Sequence, residues 1–381
     1  MDKLKLGALT GIFFILGALL ATGLAGVELP AWNPLASSRL LDELAPGQYV
    51  TVYDQQGKVL TKIARSVVPG DEIITADGKH YRVTKVHDFS ARARFLGADK
   101  EFLAWQEFFA QSTLPVAVGR PGDVAIYHTH SDESYVPSDG AASIPYNGGI
   151  FDVGDRFARA LERQRVRVIH SRTPHDPHDA QAYVRSRRTA AQLLKSNPAA
   201  IFDVHRDGVP DPDFYRQHIR GETLSQLRLV IGRQNPHMQA NLEFAKKLMA
   251  RTNESYPGLV KEIFMGAGDY NQDLSPQSLL IEAGTYTLYK EEAQDGVGLL
   301  ASVVPAVMGI GAQARPRIPE TRTPGAWSAL LWIIVITLGG IAAFLVLSAG
   351  GLGNARQRLK TFVTKELEFL RALRKHGEDN R

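Results

Sequence analysis

The stretch "DVAIYHTHSDESY", Asp123 to Tyr135, decides how the chain is read. Val124 to Tyr127 is a short apolar run of strand type, and the polar residues from Ser131 onward read as the loop leaving it. In an open α/β sheet that exit is where ligands bind. Here it carries His128, His130, Asp132 and Glu133. Taken alone, the stretch fits a metal site and a plain polar loop equally well.

Working outward, the surrounding sequence alternates in kind. Val153–Gln164 has helical periodicity, "VRVIH" (166–170) is a strand, "DAQAYVRSRRTAAQLLKS" (179–196) a helix, and "AAIFDVH" (199–205) the next strand. "LRLVIG" (227–232), a helix over 238–252, a strand near Ile263, "SLLIEAG" (278–284) and a helix from Tyr289 complete the series. This alternation predicts an α/β fold, a mostly parallel sheet flanked by helices. Upstream, "YVTVYD", "GKVLTKIA" and "DEIITADGKHYRVTKV" read as short strands with a hairpin turn at "ADGKHY". Residues 47–98 are therefore expected to form a small β-rich module, and a helix over Glu101–Gln111 bridges it to the rest.

Composition narrows the chemistry. Hydrophobic residues make up 44% of the 381, enough for a proper core. The absence of cysteine excludes disulfides, thiolate metal sites and a cysteine nucleophile, so any metal must be held by histidine and carboxylate. Leu6–Val27 and Thr323–Ala355 carry no charged residue, and each exceeds the roughly 20 residues that cross a bilayer. Transmembrane helices are expected over 6–27 and 326–350. The first has small residues near its end, so a cleaved signal peptide is the alternative there.

Lys3 and Lys5 precede the first span and eight Lys/Arg follow the second, in a basic tail over 356–381. Positive residues stay cytoplasmic, so both termini are expected inside and the middle outside the cell membrane. The two ends hold 10 of the 44 basic and 5 of the 40 acidic residues, leaving 34 against 35 between them. That balance argues against nucleic acid as a partner. Spaced apolar residues from Leu359 to Leu373 give the tail an amphipathic pattern.

Three strand ends carry chemistry: "IYHTHSDES", "IFDVHRDG" with His205, and "LLIEAGTY" with Glu282. In a parallel sheet all three lie on one carboxyl edge. Hydrolytic zinc takes about three protein ligands and leaves a position for water, and a further carboxylate moves the proton. A lone histidine at a strand end is more often simply hydrogen-bonded. Glu282 is harder to dismiss, because an ionised carboxylate after "SLLI" is costly unless paired. Asp203 is placed to orient His205 or to pair with Arg206 or Arg187. Arg206, Asp207, Asn271 and Gln272 read as groove or structural residues, and the loop after His170 as a solvated one.

The series "YHTHSDESY", "VGDRFARAL", "AYVRSRRTA", "FDVHRDG", "VIGRQNP", "NLEFAKKL", "PGLVKEI" and "YNQDLSPQSLLIEAGTYT" resembles the stage II sporulation protein P family over about residues 122–310. The resemblance implies a fold similar to zinc-dependent N-acetylmuramoyl-L-alanine amidases and a catalytic domain over 122–312. It implies a membrane-anchored peptidoglycan hydrolase that cuts the stem peptide from muramic acid in sporulation, beside a membrane-bound cell-wall hydrolase partner. His130 and His205 take the places of the zinc histidines, and Glu282 that of the catalytic glutamate. Related amidases draw a further ligand from a glutamate at the start of the first helix, where this sequence has only Asp139, Asp152 and Asp155. Glu133 is the preferred replacement, with His128, Asp152 and Asp155 as alternatives. A degenerate peptidoglycan-binding protein and a zinc peptidase acting on stem peptides are the competing functions.

Overall fold

Eleven strands among the described residues hydrogen-bond into one sheet. The computed structural model describes residues 43–111 and 122–309, with short pieces between 334 and 357. Two units are distinguished, Met1–Ile318 and Pro319–Arg381. In the second, the described positions are mostly helical. Among the described residues no helix is long and apolar enough to cross a membrane. The expected span over 6–27, most of that over 326–350, and the tail over 356–381 apart from Gln357 lie outside the described residues.

In the first unit, β1 (Val50–Tyr53), β2 (Val59–Ile63), β3 (Glu72–Thr75), β4 (Lys79–His87) and β5 (Ser90–Ala98) precede helix α1 (Lys100–Gln111). Then come β6 (Val124–Tyr127), α2 (Ile150–Arg163), β7 (Val168–His170), α3 (Ala182–Leu194) and β8 (Ala200–Asp207). A small hairpin, β9 (Arg216–Ile219) and β10 (Glu222–Ser225), leads to β11 (Leu227–Gly232), α4 (Met238–Ser255), β12 (Val260–Gly266), β13 (Ser278–Thr285) and α5 (Lys290–Ala301). That hairpin was not legible as strands. Its signal is the Arg220-Gly221 turn, both residues at positive φ (53° and 87°), which suits a two-residue hairpin loop.

In the order β2-β1-β5-β4-β3-β12-β11-β13-β8-β6-β7 the sheet is mixed as a whole, while among the strands of residues 122–312 four of the five neighbouring pairs are parallel, as the alternation predicts. Its neighbours comprise five parallel and five antiparallel pairs. The connections explain this. Helical crossovers α2, α3 and α4 join parallel strands, as such crossovers must. Where β8 passes through the β9–β10 hairpin to β11, and where a loop replaces a helix between β12 and β13, the chain reverses. So β13, β8 and β6 run together while β11 and β12 oppose them. The three strand ends singled out in the sequence do share one edge.

Strand alternation then sorts the side chains. Phe202, Val204, Leu279, Ile281 and Ala283 join the helix-covered core, with Phe157 and Leu161 of α2 and Leu248 of α4. The intervening Asp203, His205, Leu280 and Glu282 face the other way, as a period of two requires. On that second face Leu280, Val230 and Phe264 pack with Val50, Val52, Ile63, Ile73 and Val83. The strands of residues 47–98 thus continue the sheet through β3–β12 and share a core with it.

A buried charge cluster fastens the two regions together. Arg228 donates from Nε to Glu262 (2.7 Å), from Nη1 to Asp207, and from Nη2 to the Lys62 carbonyl (2.6 Å). Thr61 also donates to Glu262 at 2.6 Å. Substituting Arg228→Met would leave two buried carboxylates without their cation. Urea denaturation is expected to show a loss of about 3–5 kcal/mol; a loss below about 1 kcal/mol would mean that the cluster does not hold the regions together.

Candidate active site

Glu133 stands at the centre of the site, fully buried in the loop after β6. Its Oε1 lies 3.2 Å from His130 Nδ1 and 3.1 Å from His205 Nδ1. Its Oε2 accepts from the Arg206 backbone N–H at 2.7 Å. The loop reaches this position because it folds against Gly148, where a Cβ would come within 2.4 Å of the Glu133 carbonyl. Burial acts to raise Glu133, but His205, His130 and Arg206 override it and hold the carboxyl well below its usual value.

His205 is clamped between two acids. Asp203 Oδ1 lies 2.9 Å from its Nε2, without the alignment of a hydrogen bond, so that Nε2 has no hydrogen-bond partner. Asp203 is itself fixed by the Thr129 N–H at 2.8 Å and the Thr129 hydroxyl at 2.5 Å. Burial opposes the charged imidazole, yet Asp203 and Glu133 raise His205 well above its ordinary value. His130 goes the other way, lowered by burial and by the neighbouring His178. Its Nε2 is likewise buried and unpartnered.

Glu282 pairs with His205 across β13 and β8. Arg65, at the end of β2, donates to its Oε1 at 3.1 Å, while Oε2 is buried without a partner. Arg65 also lies over the Tyr270 ring, 5.1 Å from its centroid.

The structure therefore brings His130, Glu133 and His205 into mutual contact, with Glu282 on the adjoining strand. The alternatives go elsewhere. His128 has both ring nitrogens engaged, by the Val204 carbonyl and by His170 Nε2, each at 2.8 Å. Burial and His170 hold it down to about 3, in its neutral form. Asp152 pairs with Lys290 at 2.7 Å, and Asp155 with His170 at 2.9 Å. Asp139 is also bound to Lys290, at 2.6 Å.

Three further residues were not anticipated at the site. Arg65 falls just past "GKVLTKIA" in the expected β-rich module, with no role read for it. His178 read as a solvated loop residue, yet it stacks on His130 with ring centroids 3.9 Å apart and holds Asp132 at 2.9 Å. Against burial, Asp132 and Glu43 raise it to about 10. Glu43 lies ahead of the expected β-rich module, with no role read for it. Its carboxylate lies 3.4 Å from Arg206 Nη1 and 3.5 Å from His178 Nε2, and these cations override burial to hold it at about 2. No local pattern marks Glu43 or Arg65, since both are brought in by the strand pairing of distant segments.

Two overlapping ligand sets share His130 and Glu133. In one, Glu43 and His178 complete a group whose ligand atoms lie within 4.8 Å of one another. In the other, His205 completes the set. Zinc bonds of about 2.0–2.2 Å in a tetrahedral site place ligand atoms roughly 3.3 Å apart. The separations of 3.1 and 3.2 Å about Glu133 Oε1 fit that spacing.

The sequence model of stage II sporulation protein P matches residues 109–305. Stage II sporulation protein P of Bacillus subtilis (strain 168) is 30% identical over 199 residues, covering 47% of this chain and 49% of that protein. The chain thus spans about half the length of this curated relative. Among solved structures, the N-acetylmuramyl-L-alanine amidase Ami1 of Mycobacterium smegmatis overlaps 50% of this chain and 99% of its own, at 14% identity and a TM-score of 0.34. The N-acetylmuramoyl-L-alanine amidase AmiC2 of Nostoc punctiforme overlaps 50% and 97%, at 12% identity and a TM-score of 0.27. Overlaps this loose say nothing of the chemistry here. The family match covers just over half of the chain and includes every residue of the His130, Glu133, His205 and Glu282 cluster: this protein belongs to the stage II sporulation protein P family.

Proposed function

We propose that the first unit is a peptidoglycan hydrolase of the N-acetylmuramoyl-L-alanine amidase type, cutting the amide between the muramic lactyl group and the stem peptide. The observation that carries this reading is the approach of two imidazole Nδ1 atoms, from separate strands, to the one oxygen of Glu133. His130, Glu133 and His205 would hold a zinc ion, which when bound acidifies a water and polarises the scissile carbonyl. The residues around them supply the rest. Asp203 and the Thr129 backbone fix the His205 ring, and the Arg206 N–H fixes the second oxygen of Glu133.

Glu282 is the proton carrier. Burial raises it most, Asp207 and Glu133 add to that, and Arg65 and His205 oppose, leaving it at about 7. A carboxyl near neutrality both takes and returns a proton at the pH of the cell wall. Arg65 restrains Oε1, so the unpartnered Oε2 is the atom that takes the proton from the attacking water and gives it to the leaving amine. Apolar segments at 6–27 and 326–350 support a membrane protein with both termini inside and this unit outside, facing its polymeric substrate. A membrane-bound cell-wall hydrolase is the expected partner.

His130→Ala is expected to abolish both zinc retention and release of dye from labelled cell wall, with free lactyl groups as the lost product. Wild-type protein that binds sacculi, holds no zinc and releases nothing would leave a binding protein instead, and shortened peptides would make it a peptidase. A second expectation concerns pH. Folded Glu282 titrates at about 7, and an unfolded glutamate at about 4.3. The folded state binds the proton more tightly, so its stabilising effect is full below about pH 4.3 and is lost as pH rises towards 7. In chelated protein, the stability of wild type relative to Glu282→Gln should fall over that window, by at most ~1.4 kcal/mol per pH unit. Urea melts of the two proteins at several pH values check this; parallel curves would place Glu282 among ordinary carboxyls.

A further inference from the structure

Beside the Glu133 cluster lies a cleft of about 360 Å³, and Glu43, Ser143, His178, Arg206 and Tyr286 are among its walls. Arg206 is buried, and the salt bridge it makes is to Glu43. Its Nη2 donates to the Ala142 carbonyl at 3.2 Å, while its Nε is buried with no partner. His178 binds Asp132 through Nδ1, which leaves Nε2 turned towards Glu43. The Arg206 guanidinium and the His178 imidazole therefore converge on one carboxylate oxygen.

Glu43 holds that position loosely. Its contacts of 3.4 and 3.5 Å exceed the roughly 2.7–2.9 Å of a well-made charge-assisted bond. The segment carrying it is tied to the body by an isolated bridge between Glu43 and Arg65 and by the Leu44 N–H to the Ala64 carbonyl at 2.9 Å. It also lies outside residues 109–305, the part matched to the family. Arg206 by contrast sits on β8, next to His205. A buried guanidinium left without an acid is strongly unfavourable. Any movement that opens the cleft by withdrawing Glu43 must therefore be balanced by another acid.

We infer that Arg206 and His178 form a carboxylate-binding subsite of the cleft, and that Glu43 is its internal occupant, which an acid group of the substrate replaces. The subsite rests on the peptidoglycan reading for the identity of that acid: a free carboxylate on the stem peptide, one residue or more beyond the scissile amide. A stem in which this carboxylate is amidated lacks the charge and is the poorer ligand.

The test uses two probes that differ by that one group and whose γ-carboxyl is already in peptide linkage, N-acetylmuramoyl-L-alanyl-γ-D-glutamyl-L-lysine amide and its D-isoglutaminyl counterpart. Binding to the full chain is measured by calorimetry with chelator present, so that turnover plays no part. Glu43→Gln should bind the acid about tenfold more tightly than wild type and leave the amide within about twofold. Adding Arg206→Met should cancel the gain. Equal gains for both probes would make Glu43 a steric plug, and no gain for either would make it irrelevant; both overturn the subsite. Should Glu43→Gln fail to fold by circular dichroism, the wild type decides alone, since equal affinity for acid and amide also overturns it. Labelled cell wall separates the two readings. Turnover by zinc-loaded protein without acid selectivity removes the subsite and keeps the hydrolase, whereas selectivity without turnover does the reverse.

Discussion

A carboxylate buried without any exposure has to be satisfied from every side, and Glu133 is. Two imidazoles meet one of its oxygens and a backbone N–H meets the other. Those partners come from the loop after β6 and from the end of β8, so the acid can be buried only when the two strands are in register. Tyr127 opposite Asp203 sets that register, three residues before His130 and two before His205. The chemistry of the site and the pairing of the sheet are therefore one constraint seen from two directions. Gly148 and the Thr129–Asp203 bonds hold the loop and the strand in that relation.

The strands of residues 47–98 change how the family domain must be viewed. Left alone, residues 109–305 would expose Leu280, Val230 and Phe264, the face that β1 to β4 cover. They would also bury Arg228 beside Glu262 and Asp207 without the Lys62 carbonyl and Thr61 hydroxyl that complete its hydrogen bonds. Glu282 would lose Arg65, the cation that offsets its burial. The same strands thus finish a core, close a polar network and set the environment of the buried Glu282 carboxylate.

Much of this was legible in the sequence. Buried strands read as continuous apolar runs, and the polar residues ending them stood out against "VAIY", "AIF" and "SLLI". Their alternation assigned His130, His205 and Glu282 to one sheet edge, which a parallel trio of strands does provide. The reversal at β11 was not legible, because strand direction follows from the type of connection and the β9–β10 hairpin carries only a two-residue turn as its mark. Arg65, Glu43 and His178 were missed for a different reason. Each lies in a stretch of ordinary polarity, and each acquires its role from a partner far along the chain.

The two acids that face His205 show how position, not residue type, divides the work. Asp203 and Glu282 are both buried, and both are on the face of the sheet opposite the core that α2 and α4 cover, the face on which α3 packs. Asp203 has two donors from Thr129 and the imidazole beside it, so its charged form is favoured over burial and it stays low. Glu282 has one donor at 3.1 Å and one oxygen with none, so burial prevails and it rises. Aspartate's shorter side chain keeps Asp203 close to the β6 exit, where the Thr129 N–H is available. The longer glutamate reaches past its own strand towards Arg65. One strand position thus favours a fixed anion beside the imidazole and the other a carboxyl whose proton is held near neutrality, and the differing hydrogen bonds account for the difference.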